Sequence, residues 1–427
     1  MKTKVSINTK LYFLAIAITI SIFFTVILSQ SHFASSLSIN SKSKATPKTP
    51  YPGCLPPISI SKDRYPLALY RSNLVYSKMN FTTGISIWAY EPNEFYVWNI
   101  GVDHKPNTAD DLAPVFVNAP EVVFTREGDD YGDVTPKISN RYIVWTSRDI
   151  NNHYNVNLID MGLDGVLDPI EASNPQVIYT VPYNLMRINS LNLKGSKISF
   201  TYHDFQGSSQ IPPEVGFCDL NINSGTGSCS QNDVIIFSPS VYDSSKMIGD
   251  AYFYVDPNLG TQVLFNERIY LDPQIGSSGP IAYQVSLWSQ NSGINLISNQ
   301  TNLVEVYESL AVVSYRNLLY GYFHPGNIPG SLIPISSGLR DINPKVNVRN
   351  DFSPSGNYLV AYTKNRGSSS NIYLGSLGSG LELKTPFRGT YIPFLDSSRS
   401  GNYLYISSFS AGQNYNYNLY YTQCFGI

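Results

Sequence analysis

The chain has 427 residues, a formal net charge of -2 and a sequence pI near 6.2. This balance excludes a general electrostatic attraction to nucleic acid, which needs a basic face. Charged residues make up only 14%, whereas 32 Tyr, 30 Gly and 27 Pro are typical of short strands joined by many turns. A length that could hold two or three domains can therefore form one all-β ring.

The N-terminal segment predicts export. Three lysines precede an uncharged run, Leu11–Leu28, and small residues follow it, which is the order of a signal peptide. The run is also close to the ~18 residues that span a bilayer, so residues 1–36 are either a cleaved signal peptide or a signal-anchor in the membrane. Both alternatives place the protein body in the periplasm, outside the cell or on a membrane anchor. Residues 37–53 predict a flexible Ser/Lys/Pro-rich tether, and residues 54–427 a single folded domain.

One unit recurs along the rest of the chain: an apolar strand, a polar turn and a second strand. It is clearest at Pro136–Gly165. Spacings of about 45–55 residues between copies favour four-stranded units over helical hairpins, and stacking such units in a ring buries both sheet faces. The further copies lie at Asn73–Tyr90, Ser196–Leu220, Asp250–Ser298, Ser309–Phe323, Asn357–Leu374 and Asn402–Tyr420.

These copies predict an all-β fold, a β-propeller of seven four-stranded blades. Asp250–Ser298 is the least regular copy, although its segments AYFYV, TQVLF and IAYQVSLW are strand-like. Because this region could instead be a long insertion, six blades are the alternative. No amphipathic helix is predicted. The strand-like segments are rich in Tyr, Val, Ile and Phe, and the segments between them are rich in Gly, Asn, Ser and Pro, which is typical of strands and turns.

Two motifs resemble the repeat of exported TolB-like β-propellers with WD40-like blades. The first is Phe-Ser-Pro-Ser-Gly-Asn-Tyr-Leu at residues 352–359, and the second is Asn-Ile-Tyr-Leu at residues 371–374. In that family a Ser-Pro-Asp-Gly turn precedes one strand and an Ile-Tyr pair marks the next. Ser355 stands where the family has Asp, and the other copies match less closely. The resemblance covers roughly residues 60–424 and implies a propeller that presents a surface to other envelope proteins.

Four cysteines, Cys54, Cys218, Cys229 and Cys424, allow two bridges among three connectivities in an exported chain. Cys218 and Cys229 flank a turn, which predicts a local hairpin bridge and leaves Cys54 for Cys424. In a propeller, a strand from one terminus often completes the blade built by the other. A Cys54–Cys424 bridge would fasten that closure and contribute roughly 4–5 kcal/mol. The alternative is four reduced, buried thiols.

Two Gly/Asp-rich loops are candidate structural calcium sites, and both resemble the Asp-Leu-Gly-x-Asp-Gly loops of exported propellers of this type. Closely spaced oxygen ligands, with Gly for a tight turn, suit a hard cation such as calcium. The alternative is that these residues only cap and turn a tight connection. The ligands would be Asp103, Asn107, Asp110 and Asp111 in the first loop, and Asp160, Asp164 and Asp168 in the second.

The sequence contains no linear catalytic motif. Beyond the N-terminal segment its histidines, His104, His153, His203 and His324, each fall in a predicted turn. Trp145 is expected to pack between sheets. Two sequons, at Asn80 and Asn299, would carry glycans in a host with that machinery.

These observations favour a non-enzymatic binding scaffold at the cell envelope or cell surface, with no required cofactor. We expect a monomer whose propeller face binds an envelope or surface protein, or a glycan, and no nucleic acid. The segment Leu11–Leu28 would hold it to a membrane if it is not cleaved. The alternative is a glycan-processing hydrolase or lyase, or a lectin, that acts in the central funnel.

Overall fold

In the computed structural model of the chain, the described residues form seven antiparallel sheets. Each sheet is one blade, and blades 1 to 6 are four-stranded meanders in sequence order. The structure describes residues 53–61, 64–78, 94–118, 135–184, 186–204, 212–220, 229–239, 246–256, 260–271, 281–307, 310–316, 318–323, 332–337, 346–349, 358–366, 369–377, 382–388, 390–398, 401–410 and 416–425.

The strands are numbered in chain order. The first two strands are β1 Gly53–Cys54 and β2 Ile58–Ser61. Blade 1 contains β3 Arg64–Tyr70, β4 Asn73–Lys78, β5 Glu94–Asn99 and β6 Val115–Asn118. Blade 2 contains β7 Lys137–Ser139, β8 Tyr142–Arg148, β9 Tyr154–Asp160 and β10 Gln176–Thr180, with helix α1 Pro169–Ala172 between the last two. Blade 3 contains β11 Met186–Lys194, β12 Lys197–Asp204, β13 Glu214–Asp219 and β14 Ile235–Phe237.

The remaining blades follow in the same order. Blade 4 contains β15 Lys246–Asp256, β16 Gly260–Tyr270, β17 Ile281–Ser289 and β18 Gly293–Ser298. Blade 5 contains β19 Asn302–Tyr307, β20 Leu310–Tyr315, β21 Leu318–Phe323 and β22 Ile333–Ser337. Blade 6 contains β23 Val346–Arg349, β24 Leu359–Arg366, β25 Ser369–Ser376 and β26 Glu382–Arg388. Blade 7 contains β27 Thr390–Ser398, β28 Gly401–Ser410 and β29 Asn416–Phe425.

The first strands of the blades form a closed ring. Each contacts the first strand of the next blade, from β3 through β7, β11, β15, β19 and β23 to β27, and β27 contacts β3 again. These strands therefore line a central channel. The prediction of a seven-bladed, all-β propeller is confirmed, and the six-bladed alternative is wrong.

Blade 7 takes its strands from both ends of the described chain. Both β1 and β2 pair with β29, and Cys54 lies opposite Cys424 in the register. A disulfide joins these two cysteines. The second bridge joins Cys218 to Cys229 in blade 3, and no cysteine is free. Both predicted pairings are confirmed, and the alternative of reduced thiols is wrong.

The apolar cores lie between neighbouring blades, because alternate side chains of each strand face the preceding and the following sheet. Trp145 of blade 2 shows this arrangement. Its side chain is 1% exposed and meets Phe95 of blade 1 edge to face, with the ring centroids 5.5 Å apart. The predicted packing of Trp145 between sheets is confirmed.

The least regular copy of the repeat forms a complete blade. Strands β15 and β16 have 11 residues each, and the three strand-like segments predicted in blade 4 all lie in strands. The register of β15 shifts between Ile248 and Ala251. Side chains of blade 3 bond the irregular backbone: Asn189 donates to the Ile248 carbonyl at 2.6 Å, and Thr201 donates to the Gly249 carbonyl at 3.0 Å.

One of the histidines that were predicted to lie in turns lies in a strand instead. His203 belongs to β12, where it pairs with Arg187 of β11, and is 9% exposed. Because the second strand of blade 3 runs on to Asp204, the prediction that His203 lies in a turn is wrong. His104 lies in a turn, His153 lies at the end of the connection between β8 and β9, and His324 lies outside the described residues.

Within the described part of the chain, no helix is long and apolar enough to cross a membrane. The apolar run Leu11–Leu28 lies outside the described residues, as does the sequon at Asn80.

Candidate functional site

The two predicted Gly/Asp-rich loops lie on the same face of the propeller. We define the lower face as the end where each blade connects its first strand to its second and its third to its fourth. Residues 100–114 join β5 to β6 in blade 1, and residues 161–175 join β9 to β10 in blade 2. We call these two segments the loop pair. The Asn73 side chain of blade 1 donates to the Gly165 carbonyl of the second loop at 2.9 Å, so the second loop contacts the neighbouring blade.

Both loops begin with the same turn. The Asn99 side chain accepts a hydrogen bond from the Gly101 amide at 3.0 Å, and the Asp160 side chain accepts one from the Gly162 amide at 3.0 Å. The two glycines have φ values of +71° and +72°, a region that glycine enters without a steric penalty. The shared turn supports the relationship between the loops that the sequence predicted.

Asp110 organises the first loop. Its Oδ2 accepts hydrogen bonds from the amides of Val102 at 2.8 Å and Asp103 at 3.2 Å, and its Oδ1 accepts one from the Thr108 hydroxyl at 2.7 Å. The Thr108 bond and, to a smaller extent, the backbone amides hold the pKa of the Asp110 carboxyl below its ordinary value. The carboxylate thus fixes the turn around Val102.

The other carboxylates of the first loop also accept bonds from within it. Asp103 Oδ1 accepts a hydrogen bond from the Lys105 backbone amide at 2.8 Å. The Thr108 hydroxyl, whose one proton is nearest Asp110, lies 3.4 Å from Asp103 Oδ1 and 3.1 Å from Asp111 Oδ1. Asp111 Oδ2 accepts a hydrogen bond from the backbone amide of Asn107 at 2.6 Å. A single hydroxyl therefore stands among three carboxylates, with Asp110 as the nearest.

The carboxylates of the second loop are engaged in the same manner. Asp160 pairs with Arg141 at 2.7 Å, and Asp164 accepts a bond from the Val166 amide at 3.1 Å. Asp168 caps helix α1, where Glu171 completes a capping box. Each residue stabilises a turn or a helix end.

Across the described residues, no group of three or more His, Cys, Asp or Glu side chains is arranged to hold a metal ion. Each Asp carboxylate of the loop pair already accepts at least one bond, from an amide, a hydroxyl or an arginine. These bonds favour the alternative that the residues turn and cap tight connections. Calcium binding stays a prediction, and calorimetric titration with Ca²⁺ would test it.

Large apolar side chains project from the loop pair. Leu163 is 95% exposed, Val102 87% and Ile170 72%, and Leu112 is 48% exposed. Sequence reasoning did not single them out, although each is an apolar residue in a connection that is otherwise polar and turn-forming. The loop pair thus presents four exposed apolar side chains among carboxylates on two neighbouring blades.

An ion pair joins the first strands of blades 3 and 5. Lys194 Nζ of β11 in blade 3 lies 2.8 Å from Glu305 Oε1 of β19 in blade 5, with side-chain exposures of 25% and 13%. Blade 4 lies between these two blades in the ring, so the pair joins blades that are not neighbours. It lies towards the lower face, where Lys194 ends β11.

A cluster of tyrosines joins blades 2 and 3 at the opposite, upper end. The hydroxyls of Tyr179 and Tyr202 lie 2.9 Å apart, and Tyr202 also donates to Glu214. Burial, followed by the bond to Glu214, raises the pKa of Tyr202 far above its ordinary value. Both tyrosines are buried, so the cluster holds two blades together.

Comparison with known proteins gives structural matches only. No protein-family profile matches the chain, and no curated protein matches it. TolB from Acinetobacter baumannii matches with a TM-score of 0.35 and 11% identity over 77% of this chain and 75% of that one. A puromycin-hydrolysing peptidase from Mycobacterium tuberculosis matches with a TM-score of 0.47 and 9% identity over 84% and 53%. A family PL25 ulvan lyase matches with a TM-score of 0.43 and 8% identity over 85% and 95%.

These matches do not identify an activity. The chain spans 44–54% of the length of the prolyl endopeptidase and puromycin hydrolase chains that it matches. Similarity at this level concerns the fold, and one fold hosts many functions. The propeller rests on the sheet order described above, and membership of the TolB-like repeat family stays a resemblance. The hydrolase, lyase and lectin alternatives stay predictions.

Proposed function

We propose that this protein is a non-enzymatic binding scaffold at the cell envelope or cell surface, and that its loop pair binds a partner protein. One observation carries the proposal. The side chains of Leu163 and Val102 are 95% and 87% exposed at positions where turn residues alone would suffice. Apolar side chains grouped on one face are typical of interaction sites.

The loop pair is also organised before a partner arrives. Asp110 and Asp160 fix the turns on which the apolar residues stand. Binding to a rigid surface costs less conformational entropy than binding to a mobile one. Burial of the exposed apolar side chains on binding can therefore increase the affinity, because little conformational entropy is lost when the loops are already ordered.

The surroundings indicate the chemistry of the partner. Asp103, Asp111 and Asp164 lie in the same loops as the apolar residues. A partner that combines apolar anchors with lysine or arginine would match both features, because opposite charges across an interface favour encounter and register. A strongly acidic partner would be disfavoured.

The disulfides support the proposed location. Bridges such as Cys54–Cys424 and Cys218–Cys229 form and persist in oxidising compartments. This agrees with the export segment predicted at residues 1–36. The partner would therefore be an envelope or surface protein.

The matched variants Leu163→Glu and Ile150→Glu test the proposal. Both residues are 95% exposed in blade 2, but Ile150 lies between β8 and β9, on the upper face. We expect affinity capture from the native envelope, with Leu11–Leu28 intact, to recover the same partner with the wild type and Ile150→Glu. Leu163→Glu should lower its recovery about tenfold or more, as expected for loss of an interface anchor. Equal recovery with both variants would exclude the loop pair as the binding surface.

A further inference from the structure

The outermost strand of each blade has a row of backbone groups that no strand of that blade pairs, and such an edge can pair with another chain. Three blades protect this edge by packing, irregularity or shortness. Helix α1 packs against β6 of blade 1. In blade 2 the register of β10 shifts between Val177 and Tyr179, and Gln176 donates to the Cys229 carbonyl of blade 3 at 3.0 Å. Strand β14 of blade 3 has only 3 residues.

Three further blades carry proline or charge at the edge. Strand β22 of blade 5 contains Pro334, and β26 of blade 6 contains Lys384 and Pro386. In blade 7, Pro56 and Pro57 separate β1 from β2. Proline cannot donate a hydrogen bond to an added strand, and an edge lysine must stay hydrated.

Strand β18 of blade 4 contains neither proline nor a charged residue. Its first four residues are exposed, and Ile294 and Leu296 are 40% and 51% exposed. No charged residue and no proline occurs from Trp288 to Asn302. The one register shift lies at the far end of the strand, after Leu296. Among the seven outer edges described, this one is therefore the most open to an added strand.

We propose that the β18 edge pairs with the β18 edge of a second copy of this chain, antiparallel about a two-fold axis at Asn295. Residues that face each other in an antiparallel sheet project on the same side. A two-fold axis perpendicular to the sheet must therefore pass through a residue position. An axis at Asn295 places Ile294 of each copy opposite Leu296 of the other, which gives two apolar cross-strand pairs.

The choice of a second copy follows from the composition of the edge. An uncharged segment offers no charge by which to select a different partner, and it meets no repulsion from itself. Isologous contacts are also the commonest route to dimers. A single added strand is a small interface, so the dimer is reversible and its population rises with protein concentration. This proposal opposes the monomer expected from the sequence and does not depend on the function proposed for the loop pair.

Sedimentation velocity over a wide concentration range tests the proposal with matched variants. Leu296 and Val177 are both 51% exposed on outer strands, and Leu296→Lys introduces a hydrated charge into the proposed contact. We expect the wild type and Val177→Lys to dimerise alike, and Leu296→Lys to weaken dimerisation about tenfold or more. A wild type that stays monomeric, or equal dimerisation of the two variants, would overturn the proposal. Intact mass must first show Asn299 unmodified, because a glycan there would stand beside the edge.

A cysteine variant tests the register. The native cysteines are bridged, so Asn295→Cys adds one thiol that the two-fold axis places opposite its copy, within the Cα separation that a disulfide spans. Mild oxidation should link Asn295→Cys into dimers, whereas Asn291→Cys, in the preceding turn, should not be linked. If Asn295→Cys stays monomeric, or if both variants are linked equally, the axis at Asn295 is wrong.

Discussion

Gly101 lies in the first turn of the first loop of the loop pair, and two features require glycine there. Its φ of +71° is a conformation that other residues rarely adopt, and a Cβ would lie 2.2 Å from Asp110 Oδ2. The second feature is the stronger constraint, because Asp110 holds the amides of Val102 and Asp103. A side chain at this position would displace the carboxylate that shapes the proposed binding surface.

We therefore expect Gly101→Ala to destabilise the fold by more than the backbone strain of about 1–2 kcal/mol, because the added Cβ also displaces the Asp110 carboxylate from the amides that donate to it. Gly293→Ala is the control, since its φ is +66° but no atom lies within 4 Å of the added Cβ. Gly293→Ala should lower the free energy of unfolding only by the backbone strain, about 1–2 kcal/mol. Urea unfolding measures both variants, and equal losses would show that the contact with Asp110 contributes nothing.

Asp110 gives the loop a dependence on pH. The Thr108 hydroxyl, assisted by backbone amides, holds the pKa of the Asp110 carboxyl below its ordinary value of 3.8. A carboxylate with a lowered pKa in the folded state stabilises the protein above the ordinary value, and this contribution is lost as pH falls through the lowered value. Asp110→Asn should therefore be less stable than the wild type at neutral pH, and the difference should shrink below about pH 4. Thermal unfolding across pH measures it, and a difference that is constant into acid would contradict the assignment.

At the scale of elements, the sequence predicted the middle of each blade better than its edges. The seven copies of the repeat fall in seven different blades, because short continuous apolar runs mark strands buried on both faces. Strand β14 has only 3 residues, too few to leave such a pattern. In blade 1 the third strand begins at Glu94, beyond the end of the copy predicted at Asn73–Tyr90.

The irregularity of blade 4 could not be predicted either. Its first strand bulges between Ile248 and Ala251, and the groups that bond this backbone, such as Asn189 and Asn192, lie 59 residues earlier in the chain. Local sequence carries no sign of such a contact. The strand-like segments nevertheless identified the blade, because burial constrains side chains even where the register shifts.

The candidate site was predicted in part. Residue type and spacing identified the Asp positions of both loops, but the same residues suit a cation and a tight turn equally well. Only the structure shows that the side chains of Asp110 and Asp168 accept hydrogen bonds from backbone amides. Exposure is harder still to predict, because an apolar residue such as Leu163 is expected to be buried until its neighbours in space are known.

At the scale of the whole molecule, ring closure depends on chain ends that are far apart in sequence. Cys54 and Cys424 are separated by 370 positions, whereas Cys218 and Cys229 are separated by 11. A bridge that closes a longer loop removes more entropy from the unfolded chain. In addition, the first bridge joins β1 to β29, and so fastens the seventh blade that completes the ring.

We therefore expect the two disulfides to contribute unequally to stability. Replacing Cys54 and Cys424 together by Ser should lower the free energy of unfolding by about 2–3 kcal/mol more than replacing Cys218 and Cys229 together, from loop entropy alone. Paired substitution avoids an unpaired thiol in either variant. Urea unfolding of the two variants beside the wild type gives the difference. Equal losses, or a larger loss from the blade 3 bridge, would mean that β1 and β2 hold the ring closed without their disulfide.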